Sequence, residues 1–532
     1  MMNKPILSIV LVISFLFVLF EAYAQELKID PNILKRIHLV EENGATVAEI
    51  SMQSLLMLAL ERSTSIDILN INEEIAEDAA IAAKEIFNPN LTTSLATQRS
   101  ISPSGTNISG NVLNIFGGTA PFLSFTASDT NALTASWSKM TTLGIAYSLT
   151  YQKATSQTNT ATIANEDDTF EEWVPYDDLL YVDSFTAAIK IPLFQDWGDI
   201  NRMPEFKTQI ALDQSRIQSK KVKLDLLYQI ANIYWDMVGI QKNIEAILAS
   251  VKLSEQFVKD TRTRQRLGIL DPIEVKQSES QLALIKQNLL QELVRKNQIE
   301  DQIRAALNLE NIPYGYKAVE KMFIREEILN FDSTLEEIFD TNQNLALLKT
   351  ALRFNRLNYK EADNKSDSDM DLSFQYSMNG YGKGVTESSA GLSEPKLHDY
   401  QIAFTWNMPF FDKITPQRVK QANLERARTE LQINDLKSQL KVQLQAILKN
   451  LNLAKQGIKL ANISVELVQD LLVKETEKFK AGTNTSFRVA QVQQDLINAQ
   501  KTEILARVRY EKSYLSLLFL TEKIIKYYQL NS

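Results

Sequence analysis

The chain has 532 residues, 44% of them hydrophobic, with a formal net charge of −8. That apolar content builds a folded core, while the acidic balance and the lack of a dense Lys/Arg cluster argue against a nucleic-acid partner. No cysteine and only two histidines, His38 and His398, are present, so no disulfide framework, thiolate site or acylated cysteine is available and metal chemistry is not expected.

Residues 1–24 read as a secretory signal. Lys4 supplies the positive start, Ile6 to Phe20 is apolar apart from Ser8 and Ser14, and Ala22-Tyr23-Ala24 fits a small-x-small cleavage site before Gln25. A bilayer-spanning helix needs roughly 20 apolar residues, more than this run provides. No later segment reaches that length either. Any membrane-embedded part must therefore be built from β-strands.

From Ser51 to about Phe87 apolar residues recur at helical spacing, and Asn88-Pro89 stops the helix because proline lacks the N–H and disfavours helix in the residue before it. The period then becomes two. Leu143, Ile145, Tyr147, Leu149 and Tyr151 alternate with small or polar residues, as do Phe185, Ala187, Ile189 and Ile191 before Pro192. Leu91–Thr97 and Leu133–Ser138 also look like strands, either extending a neighbour or forming an extra hairpin. A long helix follows from about Ile200 to Arg266, meets Gly268, and returns from Pro272 to about Leu309.

The second half repeats this order. A helix over about Ser333–Lys360 leads to alternation at Leu372–Met378 and Tyr400–Met408, then a helix to about Lys480, Gly482, and a return to about Ile525. Helix–strand–strand–helix–turn–helix thus occurs twice. Sliding one half by 214 places Gly268 on Gly482, Val275 on Val489, Gln277 on Gln491 and Leu282 on Leu496. Each long helix, at about 65 residues, would span roughly 100 Å.

In the first long helix Met203, Ile210, Ile217, Leu224, Ala231 and Val238 keep a seven-residue spacing, and a second apolar stripe runs through Ile230, Met237, Ile244 and Val251. Two stripes suit a helix with a neighbour on either side, in a closed helical wall or in an ordinary bundle. The strands suit a soluble half-buried sheet or a lipid-facing barrel. In lipid every strand edge must be paired, and about four to six strands are fewer than the roughly eight of the smallest membrane barrel. A barrel reading therefore requires several copies.

The pieces resemble the TolC-like outer-membrane efflux protein family. ISMQSLLMLALERSTSI (50–66) is similar to its opening helix, Asn88-Pro89-Asn90-Leu91 to its entry into the first strand, and IPLFQDWGD and MPFFDKITP to its strand-to-helix junctions. KAGTNTSFRVAQVQQDLINAQ resembles its Gly-Thr turn and following helix. The resemblance covers nearly all of the mature chain. It implies a mainly α fold with membrane β, in which a trimer shares a transmembrane β-barrel of twelve strands, four from each chain, above an α-barrel. It also implies a passive exit duct for efflux or type I secretion, seated in outer-membrane lipid and docked by a periplasmic adaptor (membrane fusion) protein that links it to an inner-membrane transporter.

The expected plan is a signal at 1–24, a periplasmic segment at 25–50, a first repeat at 51–310, a linker at 311–332, a second repeat at 333–525 and a tail at 526–532. Strands are expected within about 90–192, 370–379 and 399–409, and helical hairpins at about 200–309 and 415–525.

By the same resemblance the reversals Leu267-Gly268-Ile269 and Ala481-Gly482-Thr483 are candidate adaptor-docking turns, although an ordinary helix stop explains the glycines equally well. Asp271, Glu274, Arg488 and Gln491 are the candidate periplasmic aperture. Here the chain departs from the family, whose second-repeat acids fall on Arg488 and Gln491, and whose gate-tying tyrosine and arginine fall on Phe479 and Asn484. Arg488 is expected near Glu274, with an aperture less cation-selective than an acidic ring.

Glu166–Asp178, with seven acids, reads as a solvated loop rather than a cation site. No nucleophile elbow, phosphate loop or HExxH motif occurs, so no catalytic residue, metal or cofactor is expected. The alternatives are a pore-less, adaptor-like helical-hairpin protein of the periplasm and a secreted structural coiled coil.

Overall fold

The computed structural model describes residues 38–42, 45–104, 123–163, 173–175, 178–307, 315–325 and 330–530. The signal segment and most of the acidic stretch lie outside the described residues. Strands β1 (His38–Glu42) and β2 (Ala45–Ile50) precede helices α1 (Met52–Arg62) and α2 (Thr64–Ala82). Next come β3 (Asn90–Ser104), β4 (Leu123–Met140), β5 (Ala146–Ile163), the two-residue β6 (Val174–Pro175) and β7 (Leu180–Pro192). The 64-residue α3 (Met203–Arg266), α4 (Pro272–Ala306) and β8 (Gly315–Ala318) follow. The second half holds α5 (Phe331–Thr341), α6 (Gln343–Asn364), β9 (Asp369–Gly382), α7 (Val385–Gly391) and β10 (His398–Asn407). It ends with the 67-residue α8 (Ile414–Lys480), α9 (Ser486–Leu520) and α10 (Ile524–Tyr527). Among the described residues no helix is long and apolar enough to cross a membrane.

Two helices read as continuous from periodicity are broken. Ser63, at φ −74° and ψ 112°, separates α1 from α2, and Asn342, at φ −61° and ψ 120°, separates α5 from α6. Asn342 Oδ1 accepts the Leu345 N–H at 3.0 Å. A short polar side chain thus offers the backbone a cap in place of another helical turn, without disturbing the apolar spacing on either side.

The chain forms two compact units. One comprises the described residues through Glu74 with Asp213–Thr350 and Leu431 onward; the other comprises Ile75–Leu212 and Ala351–Glu430. In the first, Leu55, Leu58, Leu227, Tyr234, Ile303, Leu444 and Leu518 share one core. Both stripes of α3 are used there: Leu224, Ala231 and Val238 are buried, and so are Ile230, Met237 and Val251. The periplasmic segment at 25–50 and the linker at 311–332 supply the strands of a three-stranded sheet, with β2 antiparallel to β1 and parallel to β8. Tyr234 ties that sheet to α3, donating to the Ile50 carbonyl at 3.1 Å and accepting the Val319 N–H at 3.2 Å.

The second unit is dominated by one sheet in the order β10-β9-β7-β5-β4-β3, with β6 attached to β5. The pairs along that path are all antiparallel. Leu91–Thr97 and Leu133–Ser138 belong to β3 and β4, which form an additional hairpin, so among the described residues the sheet has six long strands where the resemblance implies four.

Candidate functional site

Two places carry the functional argument: the paired helix reversals of the first unit and the two faces of the sheet in the second. The reversals are built alike. Gly268 and Gly482 both sit at φ +76°. At the first, the Gly268 N–H donates to the Gln265 carbonyl at 2.9 Å and the Ile269 N–H to the Arg264 carbonyl at 3.0 Å. At the second, the Gly482 N–H reaches the Phe479 carbonyl at 3.1 Å and the Thr483 N–H the Lys478 carbonyl at 3.0 Å. This is the Schellman closure of a helix, which needs a left-handed residue at the position each glycine occupies. The helix stop alone therefore accounts for both glycines.

Of the expected aperture residues, Asp271 caps α4, its Oδ1 accepting the Ile273 N–H at 2.8 Å with Pro272 in the first turn. Glu274 reaches across to the other hairpin. Its Oε2 accepts the Ser486 N–H at 2.6 Å, while Ser486 Oγ donates to the Glu274 carbonyl at 3.1 Å. Thr485, the cap residue of α9, makes no side-chain cap, so a carboxylate from the first repeat takes that role, favoured by the helix dipole. Arg488 is exposed and donates to Gln491 Oε1 at 2.9 Å. Among the described residues no ion pair joins Arg488 to Glu274; the Ser486 amide holds that carboxylate instead.

Four further residues at the tips, Arg264, Glu475, Ile273 and Phe487, were not singled out from the sequence. Arg264 donates to the Lys480 carbonyl at 2.9 Å, satisfying an end of α8 from the neighbouring hairpin. Glu475 is buried and accepts from Lys478 at 3.0 Å and from Asn484. Phe479 is buried with Phe257, Leu472, Val489 and Val492 beneath the turns. On the outside Leu267, Ile269, Ile273 and Phe487 are all exposed. The 214-residue offset that aligns the glycines also aligns Ile273 with Phe487, and that was the signal available for an apolar residue just beyond each turn.

Across the sheet the register sorts residues by face. One row reads Leu91, Trp137, Leu149, Ala187, Tyr376 and Tyr400. The next row on that face contains Tyr147, Ile189, Phe374 and Ile402. On the opposite face a row reads Thr92, Ser136, Thr150, Thr186, Ser377 and Asp399. Hydroxyls on this face meet across strands, Ser136 with Thr150 at 3.0 Å and Thr186 with Ser377 at 3.1 Å. In these rows one face is suited to hydrocarbon and the other to water, while farther along the first face Lys153 and Asp183 form an ion pair at 3.3 Å.

No protein-family model matches the sequence, and no curated protein matches it. Solved structures do match in fold. CusC, described in terms of folding and transmembrane channel formation, superposes with a TM-score of 0.62 at 10% identity, over 88% of this chain and 91% of that one. The outer-membrane protein VceC of Vibrio cholerae gives 0.59 at 14% identity, covering 88% and 95%. The open state of the MtrE outer-membrane channel of Neisseria gonorrhoeae gives 0.60 at 13% identity, covering 88% of each. The chain shares the TolC-like fold of these channels, mainly helical with strands.

Proposed function

We propose that this chain is a passive outer-membrane exit duct, acting as a homotrimer that docks a periplasmic adaptor and an inner-membrane transporter in efflux or type I secretion. The observation that carries the reading is the two-faced sheet. A row such as Leu91–Trp137–Leu149–Tyr376–Tyr400 backed by Thr92–Ser136–Thr150–Thr186–Ser377 has the alternation of a strand with lipid outside and water inside. A pore-less periplasmic hairpin protein has no use for an apolar sheet face of that extent. The shared fold with outer-membrane channels supports the same location.

The reversals Leu267–Ile269 and Ala481–Thr483 are the proposed adaptor contacts, with Ile273 and Phe487 added as exposed apolar anchors. Asp271, Glu274, Arg488 and Gln491 border the proposed aperture, where the exposed Arg488 acts on passing ions beside the exposed Asp271. The first test is the protein mass, detergent subtracted, of the species extracted from isolated outer membranes. Three chains fit the duct; a single chain, or absence from that fraction, removes it. Arg488→Asp should shift the reversal potential of the reconstituted channel in a salt gradient, and an unchanged potential would take Arg488 out of the aperture.

A further inference from the structure

We propose that α7 is a clasp. It holds the connection between β9 and β10 against the apolar face of the sheet, with Asp183 as its latch, and so keeps that connection off the lumen. The inference rests on the exit-duct reading, in which the apolar face meets lipid, and adds to it what keeps the outer mouth clear.

The register fixes the side on which α7 lies. The row of Lys153, Asp183 and Gly380 continues, farther along the strands and on the same face, the row of Leu149, Ala187 and Tyr376. Asp183 is fully buried. Its Oδ2 accepts from Ser388 Oγ at 2.9 Å and Ser389 Oγ at 2.7 Å, both on α7, and from Lys153 Nζ at 3.3 Å. Its Oδ1 accepts the Tyr151 hydroxyl at 3.2 Å. A carboxylate and an ammonium on a face suited to hydrocarbon are costly unless covered and hydrogen-bonded. α7 supplies the cover and two of the bonds.

Strand and helix backbones meet directly. An added Cβ at Gly380 would lie 1.9 Å from the Ser388 carbonyl oxygen, and one at Gly391, the last residue of α7, 2.8 Å from the Gly380 Cα. Neither glycine has a left-handed φ, so the closeness of strand and helix is what requires glycine at both. The way out of α7 is tied to the same face. His398, at the start of β10, meets the Leu392 carbonyl through Nε2 at 2.9 Å and the Tyr376 hydroxyl through Nδ1 at 2.7 Å. Freed of these contacts, residues 383–397 would extend by about 25 Å from the end of the sheet and could enter the lumen.

The test uses the full chain reconstituted in vesicles and planar bilayers. Residues 105–122 and 164–172 contain no Lys or Arg, whereas Lys383 and Lys396 flank α7, so trypsin added from the extracellular side reads the clasp. Wild type should be cut slowly there and conduct steadily. The Ser388→Ala/Ser389→Ala double variant loses two hydrogen bonds to the carboxylate and should be cut about 100-fold faster at unchanged native mass. Gly380→Val, which crowds the contact, should also be cut faster. Both variants should show brief current blocks that extracellular trypsin abolishes. The double variant adds no bulk, so it decides the matter if Gly380→Val fails to assemble. Cleavage of the double variant no faster than wild type would overturn the latch. Faster cleavage without blocks would overturn the role in keeping the lumen clear, and so would wild-type blocks that trypsin removes. A wild-type preparation of single chains that does not conduct overturns the duct reading itself.

Discussion

Replacing Gly268 or Gly482 by alanine should loosen the helix reversals through backbone strain alone. An added Cβ at either position meets no heavy atom within 4 Å, so crowding contributes nothing. What remains is the left-handed conformation at φ +76°, which disfavours an L side chain by about 1–2 kcal/mol. Gly457, inside α8, is a matched control. Its Cβ would be equally unobstructed, but its backbone is helical, and there alanine should stabilise by about 0.5–1 kcal/mol. The same substitution therefore carries opposite signs at two equally open sites. Gly268→Asn should fall between wild type and Gly268→Ala, because asparagine tolerates the left-handed region better. Hydrogen exchange of peptides covering 263–271 and 477–485 reads the effect directly, since 1–2 kcal/mol is a factor of about 5–30 in local opening. Unchanged exchange in Gly268→Ala, or faster local exchange in Gly457→Ala, would refute the reasoning.

Glu274→Ala removes the carboxylate that caps α9 and should destabilise the start of that helix by about 1 kcal/mol; protection of the Ser486 and Phe487 amides measures it, and undiminished protection contradicts the cap. Arg325→Ala breaks an ion pair with Glu511 at 2.7 Å, whose carboxyl side chain is 1% exposed. Stranding that charge should lower stability by about 3–5 kcal/mol in denaturant titration, and a loss under ~1 kcal/mol would mean the pair behaves as a surface one. The third concerns pH. Hydrogen bonding from Lys207, with a second from Lys365, holds the Glu361 carboxyl below its ordinary range. A folded-state value below the unfolded one contributes stability above the usual glutamate range, which is lost as the pH falls through the folded value. Wild type and Glu361→Gln should therefore converge in melting temperature on acidification, and a gap that widens would reverse the argument.

The parts legible in the sequence were those whose chemistry repeats at a fixed spacing. The alternation at Phe185–Ile191 and Leu372–Met378 falls within β7 and β9, because large apolar residues occupy every second place there. β3 reads NLTTSLATQRSISPS, where small and hydroxylated residues fill both faces and weaken the contrast, so only Leu91–Thr97 read as strand-like and the rest of β3 shows in its register with β4. Leu143 and Ile145, read as part of a strand, lie in the turn before β5, where the Thr141 N–H donates to the Ile145 carbonyl at 2.8 Å. Apolar spacing continues through a turn as readily as through a strand. At the tips the glycines were visible and their partners were not. Glu274 reaches Ser486 and Arg264 reaches Lys480 across more than 200 positions of sequence, and no local pattern encodes such a pairing.

The carboxylate of Glu274 gives the two hairpins a common mechanical fate. It is covalently part of one and closes the helix start of the other, while Arg264 closes a helix end in the same direction of reach. Pulling one reversal away from the other would free the Glu274 carboxylate, the Ser486 N–H and the Lys480 carbonyl from these bonds at once. Load applied to either hairpin is therefore shared, and a partner gripping one of them would move both.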